Sequence, residues 1–211
     1  MMNGRPRRAR TTADGRGVRV RRLELTVVAC DLRGYTRFSS TVAPEDVVEL
    51  LADYYLTIDE TVAAFQGSIK DHAGDGTLAL VGASSPVGDH AERALAMALS
   101  IGVQTEEMFG WWRSAGIEIG LGIGVASGEV LVGDIATGSR VEPVAIGAAV
   151  NLAARLCARA CAGQVLVAER TVELVREDAC RRLERLEPAL LKGFAQPIPI
   201  FRATLAAATR P

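Results

Sequence analysis

The chain has 211 residues, 49% of them apolar, and its 24 Lys and Arg against 25 Asp and Glu leave a formal net charge of −1. That length buries a full core, so one domain with tails is the simplest organisation, and near-neutrality removes the general electrostatic argument for a nucleic-acid partner. No apolar run approaches the roughly 20 residues that span a bilayer, and the four cysteines are expected to be reduced thiols of a cytoplasmic protein.

Residues 1–22 hold Arg5, Arg7, Arg8, Arg10, Arg16, Arg19, Arg21 and Arg22 among Gly, Thr and Pro. Apolar surface is too scarce there to offset the entropy of ordering, so a disordered basic arm is expected. Residues 23–31 form the first strand, running into Asp31-Leu-Arg-Gly-Tyr-Thr36. The pattern sets a carboxylate at a strand end, beside a glycine turn whose free N–H groups can face phosphate. Taken alone, an Asp at this place also serves simply to satisfy the turn. Pro44 then opens an amphipathic helix with Val47, Leu51, Tyr54, Ile58, Val62 and Phe65 on one stripe, ending before Gly67. Residues 68–73 and 77–81 read as a hairpin with Asp75 at its tip, in Ala73-Gly-Asp-Gly76. Two separate turns thus each offer one Asp.

A second long helix is predicted over 89–112, carrying Ala94, Leu95, Ala98, Leu99 and Met108, with Trp111 and Trp112 as core cover. Residues 117–125 and 129–135 are apolar runs split by Ala126-Ser-Gly128, which predicts another hairpin, and 136–143 read as an exposed arm. Residues 147–160 form a helix on which Asn151 and Arg155 share a face. Cys157 and Cys161 also share one face and are expected to be buried small side chains rather than a metal pair. A short strand follows at 164–168, and 183–202 suggest closing strands around Leu191-Lys-Gly193, with 204–211 as a tail. This order fits an α+β fold: a single sheet covered by helices on one face, rather than a doubly wound fold.

An Asn and an Arg on one helix face can hold a ribose oxygen and neutralise charge growing on a phosphoryl group. Five blocks in order now stand together: Asp31-Leu-Arg-Gly-Tyr-Thr36, Ala73-Gly-Asp-Gly76, Gly120-Leu-Gly-Ile-Gly-Val-Ala-Ser-Gly-Glu129 with Val132-Gly133, Ile146-Gly-Ala-Ala-Val-Asn-Leu-Ala-Ala-Arg-Leu156, and Leu191-Lys-Gly193. On these blocks residues 25–201 resemble the class III nucleotidyl cyclase catalytic domain, with its ferredoxin-like, palm-like sheet; the body is taken as 23–203. The resemblance implies an enzyme that turns a nucleoside triphosphate, ATP or GTP first, into a 3′,5′-cyclic nucleotide and pyrophosphate. It implies that Asp31 and Asp75 hold two Mg²⁺ or Mn²⁺ ions per site, one acidifying the ribose 3′-hydroxyl and one clamping the triphosphate. Gly34, Tyr35 and Thr36 would then contact phosphate, Asn151 would orient the ribose, and Arg155 would stabilise the transferring phosphoryl group. The family's shared sites further imply a homodimer, the Asp pair and the Asn and Arg pair of one site coming from different chains.

The departures concern the base. Adenylate cyclases of this family carry Lys four residues before the second metal Asp, where this chain has Asp71, and Lys70 stands one residue early. Alternating strand side chains keep Lys70 off that face unless the strand bulges. The second base-selecting position is Val144, which can pack a base but not read its edge. Asp71 accepts hydrogen bonds and so suits guanine, though the amino group of adenine or cytosine also donates. His72 and Lys192 are expected to be ordinary packed or surface residues, and Ala148 replaces an acid that would only cap the helix. The alternative reading is a nucleotide-binding signalling module with weak or no turnover.

Overall fold

The computed structural model describes residues 10–11, 16–83, 88–137, 139–181 and 183–205. Its elements are β1 (Arg10–Thr11), β2 (Arg16–Arg33), α1 (Tyr35–Thr41), α2 (Pro44–Ala64), β3 (Gly67–Ala73), β4 (Gly76–Val81), α3 (His90–Ser114), β5 (Gly120–Thr137), β6 (Arg140–Ile146), α4 (Ala148–Arg159), β7 (Gln164–Ala168), α5 (Glu169–Leu174), α6 (Glu177–Cys180), β8 (Leu183–Ala189) and β9 (Ile198–Ala203). One sheet runs β3-β4-β2-β5-β7-β9-β8, with β1 added to β2 and β6 to β5. The β5–β7 pair is parallel and the other pairs are antiparallel. The α+β class expected from the element order is the one observed.

The central strand β2 sorts its side chains by alternation. Val28, Cys30 and Leu32 enter one core with Tyr54, Ile58 and Val62 of α2 and Ala94, Ala98 and Ile101 of α3. Leu25, Val27 and Ala29 enter a second core with Ala149, Ala153, Leu156 and Cys157 of α4. Helices therefore cover both faces, not one as the element order suggested. The reason is that β2 and β5 are apolar at successive positions, as strands buried on both sides must be. On α2 the stripe is turned slightly from the expected one: Leu50, Tyr54, Ile58 and Val62 are at most 2% exposed, each worth roughly 1.5–3 kcal/mol of burial, while Val47, Leu51 and Phe65 sit at its margin.

Three further expectations are corrected. Ala126-Ser-Gly128 is no turn, for β5 continues through it in unbroken register with β2, from Gly120 opposite Arg33 to Thr137 opposite Arg16. The small residues are needed by packing rather than by a bend: Ser127 is buried and bonded to Thr26 Oγ1 at 2.7 Å and to Thr171 Oγ1 at 3.0 Å, and Gly128 lies beneath Ala149. The basic segment before residue 23 is partly strand, because β5 supplies the backbone partners that its composition could not reveal; residues 1–9 and 12–15 of that arm lie outside the described residues, as do 206–211 of the tail. The stretch 136–143 is the exposed end of the β5–β6 hairpin, paired from Leu131 opposite Ile146 to Thr137 opposite Arg140. α5 and α6, which carry no long apolar period, were not expected.

Among the described residues no helix is long and apolar enough to cross a membrane. All four cysteines are free; Cys157 is buried as expected, whereas Cys161 lies just past α4 and is exposed. Trp112 covers the core edge-on to Phe38 at 4.9 Å, and Trp111 is 67% exposed.

Candidate active site

Asp31 stands two residues before the end of β2, opposite Gly76 of β4 and Gly122 of β5. The hairpin tip carrying Asp75 is fastened to this strand end by the Leu32 N–H, which donates to the Asp75 carbonyl at 3.1 Å. Gly74 makes the turn at φ 62°, a left-handed conformation that costs glycine nothing. On the other side the Tyr55 hydroxyl of α2 donates to the Gly74 carbonyl. The tip is thus held by α2 and β2 together, and two turns far apart in sequence bring Asp31 and Asp75 close enough for the charge of one to act on the other.

Burial lifts the Asp31 carboxyl above the usual carboxylate range, the hydrogen bond and charge of Arg33 pull it back, and the neighbouring Asp75 lifts it again. Two acids crowded in this way fit a hard divalent cation, whose charge offsets their repulsion and whose preferred ligands are carboxylate oxygens. Among the described residues no group of three or more His, Cys, Asp or Glu is arranged to hold a metal, so the remaining ligands of any ion here would come from water or from a bound phosphate.

Beside this pair lies a groove of about 310 Å³ between the β2–β4–β3 edge and α4, lined by Asp31, Asp71, Thr77 and Leu78 on the sheet and by Ala154, Cys157 and Ala158 on the helix. Asn151 and Arg155 share the outer face of α4 with Ala154 and Ala158 and are exposed. Among the described residues neither makes a side-chain hydrogen bond or ion pair. Gly34, at φ 80°, caps α1 with no side-chain bond, and a Cβ there would lie 2.2 Å from the Glu118 carbonyl oxygen. Tyr35 and Thr36 form the first turn of α1, half-buried and exposed.

The positions expected to select the base hold a surprise in the register of β3. Ile69 is opposite Ala79 but Asp71 is opposite Leu78, so one extra residue, Lys70, is accommodated by a bulge. Ile69 packs on the α2–α3 core, and Asp71, two residues on, lines the groove on the opposite face. The bulge that Lys70 needed in order to share that side is therefore present. Val144 lies in β6 opposite Gly133, half-buried, and β6 approaches β3. His72 turns to α2, bonded to Asp59 at 3.0 Å and Thr77 at 2.9 Å and packed on the Tyr55 ring, away from the groove. Lys192 is exposed in the β8–β9 turn.

Sequence reasoning missed Arg33, the most heavily bonded side chain at the site. It donates to Asp31, to the Ala160 carbonyl at 2.9 Å and to the Cys157 carbonyl. The signal available was its position: two residues beyond Asp31 on a strand puts both on one face. The two thiols nearby are protonated, burial raising Cys30 well above its ordinary value and pushing Cys157 up to about 11.

Comparison with known proteins agrees over nearly the whole chain. A family model described as the adenylate and guanylate cyclase catalytic domain matches residues 20–201. Adenylate cyclase 1 of Rhizobium meliloti is 34% identical over 138 residues, 64% of this chain and 20% of that protein. An uncharacterized protein of Mycobacterium tuberculosis is 32% identical over 177 residues, 82% of this chain and 30% of that one. The chain thus spans about 30% of the length of the mycobacterial relatives and 20% of the Rhizobium one. Among solved structures, the adenylyl cyclase CyaB of P. aeruginosa superposes with a TM-score of 0.80 at 25% identity, covering 89% of this chain and 96% of that one. The guanylyl cyclase Cya2 gives 0.78 at 30% identity over 87% and 92%. The guanylate cyclase domain of RhGC from Catenaria anguillulae, solved in complex with GTP, gives 0.76 at 26% identity over 87% and 98%. With the paired acids, the groove and the outer face of α4 all falling within the matched segment, this chain belongs to the adenylate and guanylate cyclase catalytic domain family.

Proposed function

We propose that the domain converts a nucleoside triphosphate to its 3′,5′-cyclic monophosphate and pyrophosphate, as a homodimer with two sites shared between chains. The observation that carries this reading is the division of the chain's polar groups: Asp31 and Asp75 converge at one turn cluster, while Asn151 and Arg155 stand exposed on α4 and bond to nothing described in their own chain. Side chains so placed await a ligand held by another copy. In the reaction the ribose 3′-oxygen forms a bond to the α-phosphorus as the bond to the β-phosphate oxygen breaks, and the 3′-hydroxyl proton leaves to solvent. When bound by Asp31 and Asp75, two Mg²⁺ or Mn²⁺ ions would supply charge to the triphosphate and acidity to that hydroxyl.

The protein's own groups do the rest. The turn at Gly34 leaves the first N–H groups of α1 uncapped, with the Thr36 hydroxyl beside them, to receive phosphate oxygens. Asn151 holds the ribose so that its 3′-oxygen meets phosphorus in line, the kind of orientation that lowers a barrier by several kcal/mol. Arg155 places its fixed charge where negative charge grows on the transferring group. Asp71, with Lys70 beside it on the bulge, and Val144 form the base side. Asp71 accepts from the base and Lys70 donates, a combination that suits guanine, which presents two adjacent donors and an acceptor, better than adenine, which presents one of each.

What favours the alternative of a nucleotide-binding module with feeble turnover is the pair Asp71 and Val144, which stand where the resemblance leads one to expect the usual base-selecting residues. Purified protein incubated with Mn²⁺ and each of ATP, GTP, CTP and UTP separates the two. The expected result is cyclic product from at least one, with pyrophosphate in equal amount. Nucleotide binding without cyclic product from any of the four establishes the alternative.

A further inference from the structure

We propose that Arg33 is a positioning residue that fastens Asp31 to the C-terminal end of α4, so that one guanidinium aligns groups serving both active sites of the dimer. The proposal rests on the shared-site reading above and extends it to a residue outside that scheme. Arg33 closes β2, and its guanidinium is spread over three partners. Nη1 donates to the Asp31 carboxylate and to the Asp31 carbonyl at 3.2 Å, Nε to the Ala160 carbonyl at 2.9 Å, and Nη2 to the Cys157 carbonyl. Its side chain is only 23% exposed. The two carbonyls belong to the last turn of α4 and its cap, at the negative end of the helix dipole, and the Cys157 carbonyl, which also accepts from the Ala160 N–H at 3.0 Å, takes the guanidinium as a second donor. A planar five-donor fork satisfies these and a carboxylate at once, which an ammonium cannot.

The sheet is cut to admit this group. A Cβ on Gly122 would lie 2.5 Å from Nη2 and 2.8 Å from Cζ of Arg33, so the glycine opens the slot in which the guanidinium lies. Within one chain Arg33 therefore joins the carboxylate that opens one active site to the helix whose exposed Asn151 and Arg155 reach the other.

The test uses full-length chains in heterodimers that keep a single intact site. A chain with Arg155→Ala, mixed with a chain with Asp75→Ala, draws its acids from the first chain and its Asn and Arg from the second. Arg33→Met is then placed on one chain or the other. On the acid-bearing chain it is expected to raise the Mn²⁺ concentration for half-maximal rate by tenfold or more, leaving kcat at saturating metal within threefold. On the helix-bearing chain it is expected to lower kcat at saturating metal by tenfold or more with the metal requirement unchanged. Arg33→Lys at either place is expected to recover only part of the loss, since it restores charge without the fork. Thermal unfolding of each homodimer shows whether a variant folds. For a variant that does not, Gly122→Ala, which displaces the guanidinium while keeping the arginine, is read in the same two placements. An effect confined to one placement, or rates unchanged in both, overturns the link. Absence of activity in the parent mixture, with exchange shown by differently tagged chains, overturns the shared-site reading itself, and a metal or kcat result is then not what failed.

Discussion

The seating of α4 on the sheet can be tested at a single atom. Gly124 of β5 lies directly beneath the helix: a Cβ there would sit 2.1 Å from the Ala153 carbonyl oxygen and 2.3 Å from the Cys157 nitrogen. Both are backbone atoms inside a helix and cannot turn aside. Restoring ordinary van der Waals contact requires α4 to withdraw by roughly 1 Å, as close-packed interiors do not absorb such overlap locally. Overpacking of this kind costs about 1–3 kcal/mol, which lowers Tm by about 2–12 °C in a domain of this size, so the variant still folds at room temperature. Asn151 and Arg155, to which the proposed function gives the ribose and the transferring phosphoryl group, ride on the displaced helix, and a misplacement of ~1 Å in a positioned catalytic group costs on the order of a hundredfold in rate. Gly124→Ala is therefore expected to lose roughly a hundredfold in kcat, with circular dichroism showing a folded protein and sedimentation the same oligomeric state as the parent. Gly128→Ala is the control, since its Cβ would meet only the Ala149 Cβ at 3.4 Å, and a loss below threefold is expected. A Gly124→Ala enzyme that keeps its rate within threefold of the parent refutes the claim that this contact sets the position of the catalytic helix.

Other outcomes follow from the same geometry. Asp31→Asn or Asp75→Asn should lower cyclase turnover at least a hundredfold with Mn²⁺ if, as proposed, each supplies a ligand to a two-ion clamp; near-parental rates in both would exclude these carboxylates as ligands. Asp71→Lys combined with Val144→Asp should shift the kcat/KM ratio toward ATP over GTP by about ten- to a hundredfold, the cost of leaving a buried base edge mispaired, and an unchanged ratio in an active variant would remove both residues from the base pocket. Stability should also depend on His90, whose burial lowers its pKa below the ordinary 6.5 while its Nδ1 bonds Thr26 Oγ1 at 2.8 Å. The folded state then binds fewer protons than the unfolded one, so this stability is complete above the unfolded pKa and is lost as pH falls through the folded one. The urea midpoint of the parent should accordingly drop more between pH 7.5 and 5.5 than that of His90→Gln, and equal drops would count against the assignment.

Local chemistry determined much of this protein from sequence alone. Pro44, the three- and four-residue apolar spacing and Gly67 bound α2 because capping, periodicity and termination are all properties of a few adjacent residues. The tip at Ala73-Gly-Asp-Gly76 is legible for the same reason, since a glycine at positive φ is a local demand. The candidate site residues were named because their order along the chain matched a known pattern. What the tertiary structure alone decided depends on neighbours far away in sequence. Ala126-Ser-Gly128 reads as a turn in isolation, but pairing with β2 on one side and the approach of α4 on the other make it strand. The segment before residue 23 looks unable to order itself, and β5 lends it the hydrogen bonds that it needs. Asp71 faces the groove rather than the side of Ile69 because β3 holds one residue more than β4 can match, a count that exists only once the two are paired. Arg33 meets Ala160 across 127 residues of chain, and no reading of its sequence neighbours could find a partner whose position the packing of α4 on β5 creates.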